Sequence, residues 1–193
     1  MKKGSAKIKL GPIILISNYS NITTPDPTKS NMGGVVQRMW VAPISYFDTI
    51  GAPETVMAAV GDLAKITDTH TFLTGKGFHK FYLTKNKGGV KAEPAGEEDG
   101  KSLDYKFEGF TPGGDKAKRQ MMAMLNNEKC IVLIEEAADM SIVNQIGSAE
   151  LYASFNNSYT SGGTNKDLRG HTISVEAPTT YAFVYEGTIT EHP

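Results

Sequence analysis

The chain has one cysteine, one tryptophan, no long hydrophobic run and no excess of either charge. Each shortage removes a class of protein. A single cysteine cannot form an intrachain disulfide, and Cys130, followed by Ile131 and Val132, reads as a small core residue, not a reactive thiol. The apolar patch Ile13, Ile14, Leu15 and Ile16 follows Gly11 and Pro12 and is too short for a signal-peptide core or a bilayer span. No membrane span is expected, and the chain is expected to stay, or be assembled, where it is made. With 20 Lys and Arg against 21 Asp and Glu, the summed field has no pull on nucleic acid or anionic membranes.

Catalytic signatures are also missing. There is no GxSxG elbow, HExxH pair, dinucleotide glycine fingerprint or EF-hand loop. The GKG of residues 75–77 lacks the remaining residues of a phosphate-binding loop and reads as a turn. His70, His79, His171 and His192 share no ligand spacing, and the run Glu97, Glu98 and Asp99 reads as a solvated loop, so no metal and no cofactor is expected. Asp167, Arg169 and His171 alternate, which suits one polar strand face better than a catalytic cluster. Met121, Met122 and Met124 read as gap-filling side chains between a helix and a sheet. The chain is expected not to be an enzyme.

What is abundant is turn formers: 20 glycines and 9 prolines in 193 residues, the composition of many short strands. The most legible stretch spans residues 102–147. Leu103, Tyr105 and Phe107 alternate with Asp104, Lys106 and Glu108, the pattern of a half-buried strand. Gly113 and Gly114 end it, Asp115 offers a helix cap, and Ala117, Met121, Met124 and Leu125 recur at helical spacing, predicting a helix over about 115–126. Asn126 and Asn127 close that helix by tolerating left-handed geometry, and the five apolar residues 130–134 suit a strand covered on both faces. SIVNQIG adds another strand.

Elsewhere the reading is coarser. Residues 1–34 read as an extended polar arm, broken by Pro25 and Pro27, and residues 35–193 as a single domain. VVQRMWVAPISYFD is strand-like, with Pro43 confining it to an edge or a bend. A weak helix is expected over residues 52–65, two short strands around the turn at 75–77, and another near 90–93. One strand lies near 151–155, then a long contact loop over 156–170, then two closing strands joined across Pro178. The sum is a mainly β fold: an antiparallel β-sandwich or barrel with one flanking α-helix, an extended N-terminal arm and long loops.

SLDYKFEGFTPGGDKAKRQMMAML with CIVLIEE, the preceding GKGFHKFYLTKNKGGVKAEPAGEEDG and the closing HTISVEAPTTYAFVYEG together resemble the tail tube proteins of long-tailed bacteriophages, over roughly residues 40–187. Their fold is shared with the tube proteins of bacterial secretion systems. The resemblance implies a structural virion protein of the phage tail, assembled in the host cytoplasm, whose hexameric rings stack into a tube with a β-barrel lumen that conducts DNA. Implied partners are further copies of the chain, other tail proteins (sheath or terminator, and tape measure), and DNA in transient, non-specific passage. In that frame Asp104, Lys106 and Glu108 are expected to face the lumen, with Lys106 interrupting an acidic lining. Ile13, Ile14, Leu15, Ile16, Trp40, Asp167 and Arg169 are expected between subunits. The alternatives are a tail terminator or connector ring protein and a non-catalytic β-sandwich binding module.

Overall fold

The computed structural model describes residues 19–22, 24–28 and 30–193. Ile13, Ile14, Leu15 and Ile16 lie outside the described residues, and those described before Val35 contain no helix or strand. The elements in order are β1 (Val35–Pro43), β2 (Phe47–Thr49), β3 (Lys65–Ile66), β4 (Thr71–Phe72), β5 (His79–Tyr82), β6 (Gly89–Ala95) and β7 (Ser102–Pro112). Then come the helix α1 (Lys116–Leu125), β8 (Lys129–Glu136), β9 (Val143–Ile146), β10 (Ala153–Thr160), β11 (Gly170–Thr179) and β12 (Phe183–Tyr185). The mainly β sandwich with a single flanking helix read from the sequence is the fold the chain adopts.

Two sheets meet at a corner. β6, β7, β11 and β10 form a four-stranded antiparallel sheet, and β10 hands over to β8 through Ala153 and Ser154 alone. β8 lies between β1 and β9, β1 also pairs β5, and β9 continues through β12 to β3. β2 and β4 make a separate two-stranded ribbon.

Alternation along β1 and β8 divides their side chains between two cores. Met39, Val41, Cys130, Val132 and Ile134 point into the space between the sheets, where they meet Phe107, Phe155, Ile173 and Val175. α1 closes that space with Met122 and Leu125. Trp40, Ala42, Ile131 and Leu133 point the other way and are covered by Phe47, Ile66, Phe78 and Tyr185. Residues 130–134 are therefore covered on both faces, which is why five apolar residues stand in a row. Each such side chain taken out of water contributes roughly 1.5–3 kcal/mol.

Several local expectations are corrected. Residues 52–65 form no α-helix: Gly61 adopts left-handed backbone (φ 102°), only a single 3-10 turn at Asp62–Ala64 forms, and Val56 and Val60 are exposed. The two short strands expected around residues 75–77 do form, and each pairs elsewhere, β4 with β2 and β5 with β1. β1 is not an edge strand. It lies between β5 and β8, and Pro43, its last residue, bends the chain into a 3-10 turn at Ile44–Tyr46. Residues 156–160 belong to β10, not to a loop, and Pro178 lies inside β11 opposite Asp104. Asp115 caps α1 as expected, accepting from the Lys118 N–H at 2.9 Å. Asn126, however, is right-handed (φ −58°) and closes the helix through its side chain, whose Oδ1 accepts from both Asn157 nitrogens.

Candidate functional site

The four-stranded sheet buries one face, and among the described residues no helix or strand covers the other. Along β7, Tyr105 and Phe107 go to the core, while Asp104 and Lys106 are half-buried and Glu108 is exposed on the opposite side. Register extends that polar side across the sheet. Glu93 and Pro178 flank Asp104, Lys91 and Glu176 flank Lys106, and Ser174, then Asn156, continue from Glu108. Asp104, Lys106 and Glu108 thus share one face, as expected. It carries four carboxylates (Glu93, Asp104, Glu108, Glu176) against two ammonium groups (Lys91, Lys106). Lys106 Nζ lies 3.4 Å from Asp104 and 3.9 Å from Glu93, so the two positive charges are interspersed, not segregated.

Among the described residues, β6 pairs β7 and no other strand, and beyond Ser154 the outer side of β10 has no strand partner, although the Asn157 N–H on that side donates to Asn126 Oδ1 at the end of α1. Unpaired backbone N–H and C=O groups in a row are a template for pairing with another chain.

The predicted inter-subunit residues separate. Trp40 is buried in the chain's own second core at 4% exposure, and its indole N–H donates to Glu191 Oε1 at 2.9 Å, so it cannot reach a neighbouring subunit. Lys80 pairs with the same carboxylate at 2.8 Å. Asp167 and Arg169 are exposed. Asp167 braces its own loop by accepting from the N–H groups of Gly163 and Thr164, and these amides hold its carboxyl below the usual range. Arg169 turns to the Tyr159 hydroxyl and the Gly114 carbonyl.

Asp167, Arg169 and His171 do not converge. His171 is 2% exposed, its Nδ1 lies 3.0 Å from Asn157 Oδ1, and no hydrogen bond or ion pair joins any two of the three. Burial, then Lys118 and Arg119, push its imidazole toward the neutral form. His70 is also buried and neutral-shifted, and Cys130 is a core thiol that burial pushes up to about 12. Among the described residues no group of three or more His, Cys, Asp or Glu could hold a metal ion, and no helix is long and apolar enough to cross a membrane.

The sequence reading missed a basic cluster at one end of the sheet. Lys118 Nζ donates to the Pro112 carbonyl, Arg119 Nε to that of Gly114, and the Arg119 guanidinium lies 4.0 Å over the Tyr159 ring. The signal was present as GGDKAKR, where a glycine pair brings a helix start against a strand end. A groove of about 340 Å³ beside α1, lined by Tyr46, His79, Met121, Met124 and Leu125, is mostly apolar. Comparison with protein-family models, with curated proteins and with solved structures finds no match to this chain.

Proposed function

We propose that the chain is a tube-forming subunit, the major tail tube protein of a long-tailed bacteriophage, which makes hexameric rings that stack into a DNA-conducting tube. The observation that carries the reading is the four-stranded sheet, whose polar face and outer strands β6 and β10 have no strand or helix laid over or beside them among the described residues except where Asn126 meets Asn157. β6, β7, β11 and β10 alternate in direction, so when copies are laid edge to edge, β10 of one runs antiparallel to β6 of the next. A head-to-tail contact of this kind closes into a ring when the rotation between copies divides a full turn. Six copies would supply about 24 strands, and at about 4.8 Å per strand the closed sheet has a diameter of about 37 Å before strand tilt widens it. Barrels of that size hold an open lumen.

The polar face then lines the lumen. Four carboxylates against two ammonium groups per copy repel phosphate on balance, which suits DNA that must slide without sticking. In the virion the subunit would contact a sheath or terminator and a tape measure, after assembly in the host cytoplasm. Electron microscopy of the purified protein tests the reading: rings and tubes are expected, and a strictly monomeric protein at high concentration and across salt would refute it. A terminator or connector would stop at single rings. The apolar groove beside α1 favours a second reading, a monomeric binding module, which light scattering separates from a ring.

A further inference from the structure

The two ends of the four-stranded sheet carry opposite charge. Where β6 turns into β7, residues 96–101 present Glu97, Glu98 and Asp99, all exposed, with Lys101 the only cation of the turn. None of the three acids takes part in an ion pair among the described residues. The turn has a defined shape, with left-handed backbone at Gly96 (φ 97°) and Asp99 (φ 71°).

At the opposite end β7 leaves the sheet through Pro112 and β11 enters it at Gly170. There Lys118, Arg119 and Arg169 converge on the carbonyls of Pro112 and Gly114, and Tyr159 is held between the two guanidinium groups. Gly114 has room for this only because it lacks a side chain, since a Cβ there would run into the Tyr159 ring. Asp115, which accepts from the Lys118 N–H, is the one nearby carboxylate and offsets part of the charge of three cations without forming an ion pair with any of them among the described residues, and Asp167 is turned to its own loop. The Arg169 hydrogen bond and the two nearby guanidinium charges pull the Tyr159 phenol below its usual range, a sign of positive potential. Exposed Lys85 and Lys87, in the loop that enters β6, add to the same end.

The two charge sets cannot serve each other within one copy. β7 is 11 residues long, so they are about 34 Å apart, several times the Debye length of about 10 Å at 0.1 M salt. Nor can a lateral neighbour supply the match. Antiparallel pairing of β10 with the next copy's β6 puts that copy's acidic turn beside the first residues of β10, away from Tyr159. The remaining partner is a copy stacked end to end.

We propose that Glu97, Glu98 and Asp99 of one copy dock against Lys118, Arg119 and Arg169 of the copy stacked on it, forming the contact between successive rings. The inference rests on the ring-and-tube reading and adds polarity to it: each ring has one acidic and one basic end, so stacking runs head to tail.

The test uses two full-length variants at about 50 mM salt, where surface charge is weakly screened. One is Glu97→Lys, Glu98→Lys and Asp99→Asn, the last keeping a residue that tolerates left-handed backbone; the other is Arg119→Glu and Arg169→Glu. By sedimentation and electron microscopy, each variant alone forms rings but needs about tenfold or more protein to form tubes, because the contact is repeated around the ring. Preformed rings of the two variants, mixed, give alternating tubes, which no folding defect can mimic. Should the arginine variant fail to fold, the fully exposed acidic turn decides alone. Undiminished tubes from the acidic-turn variant overturn the proposal while leaving the tube reading intact; wild-type protein that never forms rings overturns both. A DNA duplex that binds wild type but not the arginine variant, with tube formation unchanged, assigns the cluster to nucleic acid and also overturns it.

Discussion

His70→Ala empties a site where one imidazole holds several partners. The ring is 1% exposed, and its Nδ1 accepts from the Gly51 N–H at 2.9 Å. The ring proton therefore sits on Nε2, which donates to Gln145 Oε1 at 3.0 Å. The ring stacks on Tyr185 at 4.5 Å, and the His70 N–H donates to the Tyr185 hydroxyl. Truncation leaves a buried N–H and a buried amide oxygen without partners, at about 1–3 kcal/mol each, and opens a cavity; the expected loss is about 3–5 kcal/mol. His70→Phe keeps the volume and the stacking and isolates the polar part, at about 2–4 kcal/mol. Urea unfolding followed by the emission of Trp40, the only tryptophan and itself buried, measures both losses. A loss below about 1 kcal/mol in His70→Phe would refute the reasoning, because the hydrogen bonds would then be contributing little.

The same ring sets a pH dependence. Burial holds His70 below the usual histidine value, so its contribution to stability is present above the unfolded value of about 6.5 and is lost as pH falls through the folded one. The slope for one such group reaches at most about 1.4 kcal/mol per pH unit. His79 and His171 are shifted the same way, His79 by burial with His192 and Lys76 beside it. Wild type should therefore lose stability below about pH 6.5, and more steeply than His70→Phe. Equal slopes in the two proteins would contradict the assignment.

Two further outcomes follow from the core. Cys130 should resist thiol reagents in the folded protein and react at a normal rate only in denaturant, since its thiol is buried and pushed up to about 12. Leu133→Ala and Ile134→Ala, neighbours that face different cores, should each cost about 2–5 kcal/mol in denaturant unfolding; a near-neutral result at either would mean that one face of β8 is not packed.

Legibility in the sequence followed chemistry that is local. The alternation in β7 and the apolar run in β8 state their own burial, and Asp115 announces a helix start, so these elements are legible from sequence alone. Residues 156–160 read as loop in the sequence because both faces of that part of β10 are polar: the inward Asn157 and Tyr159 bind His171, Asn126 and Arg169 instead of filling an apolar core. Pro43 suggested an edge, yet it stands at the last position of β1, where its fixed φ of −58° bends the chain. Trp40 looked like an anchor for a partner; only the tertiary pairing of β1 between β5 and β8 places it inside. The basic cluster joins residues from α1, β10 and the loop before β11, and no sequence window contains them together.

Salt separates the two electrostatic roles assigned to the sheet. In the proposed tube, contacts between rings would be attractive, between an acidic turn and a basic cluster, and screening would weaken them. The polar face proposed to line the lumen would pose a like-charge problem, with a net charge of about −2 per copy from four carboxylates and two ammonium groups brought together around a ring, and screening would relieve it. In the proposed ring, a lateral joint between β10 and β6 would be made by backbone hydrogen bonds and would depend little on salt. Raising salt from about 0.05 M to about 1 M, where the Debye length falls to about 3 Å, should therefore convert tubes to rings without dissolving the rings. Lys106→Met sharpens the test. It removes one of the two cations of the polar face and costs little stability, since Lys106 makes only long, partly exposed pairs, so its rings should need more salt to close than wild-type rings do. Sedimentation across that salt range measures both effects. Tubes of unchanged length at 1 M salt would show that axial contacts are not ionic, and Lys106→Met rings that close as readily as wild type at low salt would show that this face does not line a shared lumen.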